Sequence, residues 1–134
     1  IVAALNFLEI KRLSIATPYH AALNNHEVEF LTANNFETLQ ISGLGIGAAG
    51  PHEYIEIART EKFKIENHIL SVDHSDAEAI LVSCTDFPSI SIISKLEKEI
   101  KKPIITSNQA TLWAALRVAG IKDRISDYGI LLAT

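Results

Sequence analysis

The sequence predicts an α/β fold: a flavodoxin-like parallel four-stranded sheet with helices on both faces. Three observations point there. Segments of helical periodicity alternate with short strand-like segments along the whole of the 134 residues. The strongest strand segments, Ala79–Ser83 and Ile104–Thr106, are continuous apolar runs rather than alternating ones, as strands covered on both faces are. Breakers and caps such as Thr17-Pro18, Asn34-Asn35, Pro103 and Gly120 fall between these segments.

Taken in order, Ile1, Ala4, Leu5 and Leu8 share one helical face, so the chain opens inside a helix, as though something precedes it. Leu13 to Ala16 is the first strand, leaving into Thr17-Pro18. A helix follows from Tyr19 to about Asn34, with Ala22, Leu23, Phe30 and Leu31 on one side. Phe36 to Ile41 is the second strand, and the glycine-rich SGLGIGAAG follows at 42–50. Pro51 opens another helix with Tyr54, Ile55 and Ala58 inward. The stretch 65–78 fits a helix, a loop or a short strand at Ile69–Val72. After the third strand at Ala79–Ser83, Pro88 suits the first turn of a helix carrying Ile92, Ile93, Leu96 and Ile100. That helix closes on Lys101-Lys102, cations that favour its negative end, and Pro103. Ile104 to Thr106 is the fourth strand. Ser107 or Asn108 caps a helix with Leu112, Trp113 and Leu116, closed by Gly120, and Gly129 to Leu132 is a last apolar piece.

Composition narrows the function. With 48 % hydrophobic residues the chain can build a full single core. A formal net charge of −4 argues against nucleic acid as partner, because phosphate contacts demand a basic face. No apolar stretch approaches the roughly 20 residues of a membrane span. IVAALNFLEIKR does not read as a secretory leader, and a single cysteine cannot form an internal disulfide; a cytoplasmic setting is the expectation.

Ligands of open parallel sheets sit beyond the C-terminal strand ends, where the strand order switches. In the common order 2-1-3-4, Thr17-Pro18-Tyr19, Ser83-Cys84-Thr85 and Thr106-Ser107-Asn108 would meet there, with helix N-termini offering N–H groups to a carboxylate. Cys84 is either an inert small hydrophobe or a proton carrier whose thiolate a helix N-terminus would stabilise. Tyr19 is either half-buried packing or a hydrogen-bond donor. Gly45, Gly47 and Gly50 spell G-x-G-x-x-G, with Asp73 some way beyond, and so present a second option: a non-catalytic nucleotide-binding domain. Pro51 directly after the third glycine speaks against it, since the fingerprint helix should already be under way. The histidines (His20, His26, His52, His68, His74) show no metal-ligand spacing with Cys84, and Asp86 either tunes Cys84 or, the better reading, caps the next helix.

ATPY at 16–19, AILVSCTDF at 79–87 and KPIITSNQATLWAALRVAGI at 102–121 resemble the C-terminal half of the maleate cis–trans isomerase and arylmalonate decarboxylase family, within the aspartate/glutamate racemase superfamily. The resemblance covers nearly the whole chain. It implies that residues 1–134 are a single lobe, the C-terminal half of a two-lobed enzyme whose site lies between the lobes. The partners it implies are a missing N-terminal lobe and a small carboxylate substrate, with homo-oligomers possible, and it implies no metal or organic cofactor. Cys84 matches the family's C-terminal-lobe cysteine, a proton donor to a carbanion or enediolate. Tyr19 matches the tyrosine that hydrogen-bonds a substrate carboxylate, and Thr85 stands where backbone and side chain help to hold it. Two departures stand out. The isomerases' asparagine after the second strand has no match in LGIGAAGPHEY, and Thr-Asp follows Cys84 where the decarboxylases carry glycines.

Overall fold

A computed structural model describes all 134 residues. Helix α1 (Val2–Phe7) leads into β1 (Arg12–Tyr19), α2 (Ala21–Ala33) and β2 (Glu37–Ile46). A 3-10 turn at Pro51–Tyr54 runs into the short α3 (Ile55–Ala58), followed by α4 (Lys62–Ser71). Then come β3 (Ala79–Val82), α5 (Ile90–Ile100), β4 (Ile104–Thr106), α6 (Ser107–Val118) and the single-turn α7 (Ile130–Ala133). The four strands form one all-parallel sheet in the order β2-β1-β3-β4. The α/β architecture, the strand order and the helices on both faces are those expected from the apolar runs.

One core cluster joins α1, Leu31 of α2, α6 and α7 to the sheet through Leu5, Leu13, Ile15, Leu81, Ile105 and Trp113. The other joins α3, α4 and α5 through Ile57, Ile65, Ile69, Ile80, Ile93 and Leu96. Twelve leucine and isoleucine side chains are fully buried. At about 1.5–3 kcal/mol for each such side chain, aliphatic burial alone supplies a large driving force, and the strand ends are left free to be polar.

Several elements differ from the sequence expectation. β2 continues through Gly43 and Gly45 to Ile46, because its pairing with β1 persists to Tyr19↔Ile46 through two register shifts. The ambiguous 65–78 stretch supplies most of α4, whose Ile65, His68 and Ile69 are buried. After Pro51 it is Ile57 that turns inward, while Tyr54 and Ile55 are exposed, since the 3-10 turn rotates the following residues. Pro88 precedes α5 rather than opening it, and Ser89 takes the N-cap position. Thr106, not Ser107 or Asn108, caps α6. Its hydroxyl accepts from Gln109 N at 3.1 Å while Gln109 Oε1 accepts from Thr106 N at 3.0 Å, a reciprocal capping box. Leu112 is solvent-exposed on α6, and Trp113 alone of that pair enters the core.

Candidate active site

The C-terminal ends of the strands carry the polar residues. Parallel pairing of Ala16 with Val82 and of Val82 with Thr106 brings the Tyr19, Cys84 and Asn108 segments to one edge. Cys84 lies just past β3 and is 7 % exposed, packed in the α3–α5 cluster; Tyr19 is half-buried beside it. Tyr19 packs against the cluster that holds Cys84, near enough for the thiol to bear on its charge. Burial first, and then the Cys84 contact, hold the phenol well above its ordinary value of 10, with the charges of Glu27 and Asp86 adding to the effect. Tyr19 is therefore a protonated donor across the whole physiological range.

Thr85 is exposed and carries the third predicted site position. Its carbonyl accepts from Asn108 Nδ2 at 2.9 Å, which ties the loop after β3 to the start of α6. The backbone N–H groups of Cys84, Thr85, Asp86 and Phe87 donate to no acceptor within the chain. These open donors follow β3 directly and belong to the loop, because α5 begins only at Ile90, while α2 and α6 start at the same edge directly after β1 and β4. The structure thus brings Cys84, Tyr19 and Thr85 to a common rim whose free valences are hydrogen-bond donors. Such a rim can hold a carboxylate and present a thiol to the carbon next to it.

The sequence placed Thr17 and Ser83 at the crevice but did not show the partners that hold them, Asn24, His68 and Glu27. Thr17 is a hub: its hydroxyl donates to Asn24 Oδ1 at 2.6 Å and accepts from Tyr19 N at 3.1 Å, and its carbonyl meets His68 Nε2 at 2.9 Å. A Cβ on Gly43 would run into the Tyr19 carbonyl and lie 2.6 Å from Asn24 Nδ2, so only glycine lets β2 approach here. Ser83 Oγ donates to Glu27 Oε1 at 2.7 Å. Ser83 and Glu27 share a groove of about 470 Å³ with Tyr19, Leu23, His26 and Phe30. One signal was available: Thr17 stands directly after the apolar Ile15-Ala16, and His68 directly before Ile69-Leu70.

The glycine segment behaves differently. Gly47 N and Ala49 N donate to Glu53 Oε2 at 2.8 and 3.2 Å, and the N–H groups of Ala48 and Gly50 bond back to Gly45 and Gly47. A carboxylate of the chain already fills the place a phosphate would take, and these bonds pull Glu53 below its ordinary value. Asp73 follows α4 and pairs with Lys102 at 2.7 Å, at the N-terminal edge of the sheet, opposite the rim. The nucleotide option is therefore favoured by neither of its parts. His74 and the other histidines join no group of three metal-ligating side chains.

Residues 1–132 match the model of the arylmalonate decarboxylase family. The chain belongs to that family. Among curated relatives, a maleate isomerase of Geobacillus stearothermophilus is 23 % identical over 99 % of this chain and 51 % of its own length. The chain thus spans about half the length of the curated relatives it matches. Among solved structures, the Pseudomonas putida S16 maleate isomerase with maleate superposes with a TM-score of 0.90 at 25 % identity, covering 98 % of this chain and 51 % of that one. A maleate cis–trans isomerase of Nocardia farcinica with a covalently bound succinylcysteine intermediate superposes with a TM-score of 0.91 at 22 % identity, again over 98 % of this chain and 52 % of that one. The fold of this family is therefore the fold found here.

Proposed function

We propose that this chain is the C-terminal, cysteine-bearing lobe of a two-lobed isomerase, racemase or decarboxylase of small carboxylic acids, using the protein's own thiol. The observation that carries the reading is the placement of Cys84 and Tyr19 at one strand-end rim beside a run of unoccupied amide donors, in a chain of the arylmalonate decarboxylase family. A cysteine-bound intermediate in a structural neighbour supports cofactor-independent catalysis with cysteine.

In this reading a substrate carboxylate takes the N–H groups at Cys84–Phe87 together with the Tyr19 hydroxyl, and Thr85 helps to hold it. Charge that develops on the carboxylate as the neighbouring carbon gains electrons is met by donors already in place, an arrangement worth several kcal/mol. Cys84 then exchanges a proton with that carbon. Burial keeps water from competing with the thiol. The opposite wall of the site belongs to the lobe outside this chain.

The test is Cys84→Ala in the two-lobed protein that carries this lobe, assayed with maleate and with an arylmalonate. Turnover should fall by about 10²–10⁴-fold, the range for a lost proton-transfer group, with little change in melting temperature. A variant that keeps wild-type turnover removes the thiol from the mechanism.

A further inference from the structure

Cys84 sits between two side-chain tethers. On its N-terminal side, Ser83 is 5 % exposed and its hydroxyl donates to Glu27 of α2 at 2.7 Å. On its C-terminal side, the Thr85 carbonyl accepts from Asn108 of α6 at 2.9 Å. The backbone offers little else. Ser83 N donates to Ala16 O at 3.1 Å, and the next backbone donor along the loop is Ser89 N, to Phe87 O at 2.8 Å. The four amides between donate to no acceptor in the chain. A loop that keeps its donors open for a ligand cannot also be fixed by them, so its position must be set from elsewhere.

Both tethers come from helices anchored independently of the loop. α2 is fixed by buried Leu31 and by Asn24 on Thr17. α6 is fixed by its capping box and buried Trp113. Glu27 Oε1 holds Ser83, and the carboxylate opens onto the groove shared with Tyr19 and Phe30. A hydrogen bond to a charged acceptor is among the stronger kinds, and this one is shielded by Ser83's burial.

We propose that Glu27 and Asn108 are positioning residues that clamp Cys84 from its two sides, Glu27 acting through Ser83 and Asn108 through the Thr85 carbonyl. The inference deepens the proton-transfer reading and rests on it for its catalytic consequence, but the clamp itself shows in the reactivity of the thiol.

The experiment is iodoacetamide alkylation of the full chain, followed by mass spectrometry of the peptide that carries Cys84, with melting temperature in parallel. Glu27→Ala, Ser83→Ala and Asn108→Ala should each speed alkylation of this buried thiol by about tenfold, while Glu27→Gln, which keeps an acceptor oxygen, should stay within about twofold of wild type. Glu27→Ala with Ser83→Ala should be no faster than either alone, because they break one tether. Glu27→Ala with Asn108→Ala should be faster than either, because they break two. In turnover, Glu27→Ala should lower kcat with KM little changed. Wild-type alkylation in the alanine variants, additive effects within the Glu27–Ser83 pair, or no rescue by glutamine would overturn the clamp. If Glu27→Ala does not fold, Ser83→Ala, which deletes one oxygen, decides in its place. Absence of turnover on any carboxylate in the wild-type two-lobed protein would sink the proposed function and leave the alkylation result to decide the clamp.

Discussion

Two loops leave the same edge of the sheet, and they have opposite fates. The segment after β2, Gly47–Gly50, has the more suggestive sequence, yet all of its amides are consumed within the loop, two of them by Glu53. The segment after β3, Cys84–Phe87, contains no glycine and matches no phosphate motif, yet its amides are unoccupied and a protonated phenol stands beside its thiol. A binding loop is defined by the donors it leaves unpaired, and a residue pattern does not record that. Glycine makes a close turn affordable, but the turn here closes on the protein's own carboxylate.

The sharpest way to break the comparison is at Gly43, on which the rim depends. Gly43→Ala should destabilise by about 3 kcal/mol in urea unfolding, since the new methyl meets the Tyr19 carbonyl and the Asn24 amide and neither can yield. Gly45→Ala has open space around it and meets only the strain of its φ of +80°, so about 1 kcal/mol is expected. Equal costs at the two positions would show that close approach at the rim is not what glycine supplies.

A smaller effect separates the loops by ligand. In an amide NMR titration with maleate, cross-peaks of Cys84–Phe87 should move, and those of Gly47–Gly50 should not. ATP or NAD should move neither set. Movement of the glycine amides by ATP would reopen the nucleotide option.

The smallest effect is in pH. Bonds from Ala49 and Gly47 hold the Glu53 carboxyl below its ordinary 4.5, so the folded chain gives up a proton that the unfolded chain retains. The stabilisation is present above pH 4.5 and is lost as pH falls through the lower folded value. Glu53→Gln should flatten this part of the stability profile between pH 5 and 3, as followed by thermal melts. At Glu97 the sign is reversed. Burial holds that carboxyl above 4.5 although Ile104 N and Ile130 N donate to it, so its share is full at low pH and is lost as pH rises through the folded value. The two carboxylates therefore pull the same melt in opposite directions.

Much of the molecule was legible from the order of residues. Continuous apolar runs at Ala79–Val82 and Ile104–Ile105, with the mostly apolar Leu13–Ala16, point to a parallel sheet, because strands covered on both faces have no solvent side to alternate with. That sheet, in its common order, already brings Tyr19 and Cys84 to one rim, and local chemistry marks the stops at Asn34, Lys101 and Gly120. Long-range polar pairing decided the rest. That Ser83 answers Glu27, that Thr17 answers Asn24 and His68, and that Glu53 silences the glycine loop follow from which atoms approach within 3 Å or so once helices have docked. Burial is a sum over many side chains and survives in a one-dimensional pattern. A hydrogen bond is a single directional contact, and only the packed chain says which donor has found its acceptor and which remains open for a ligand.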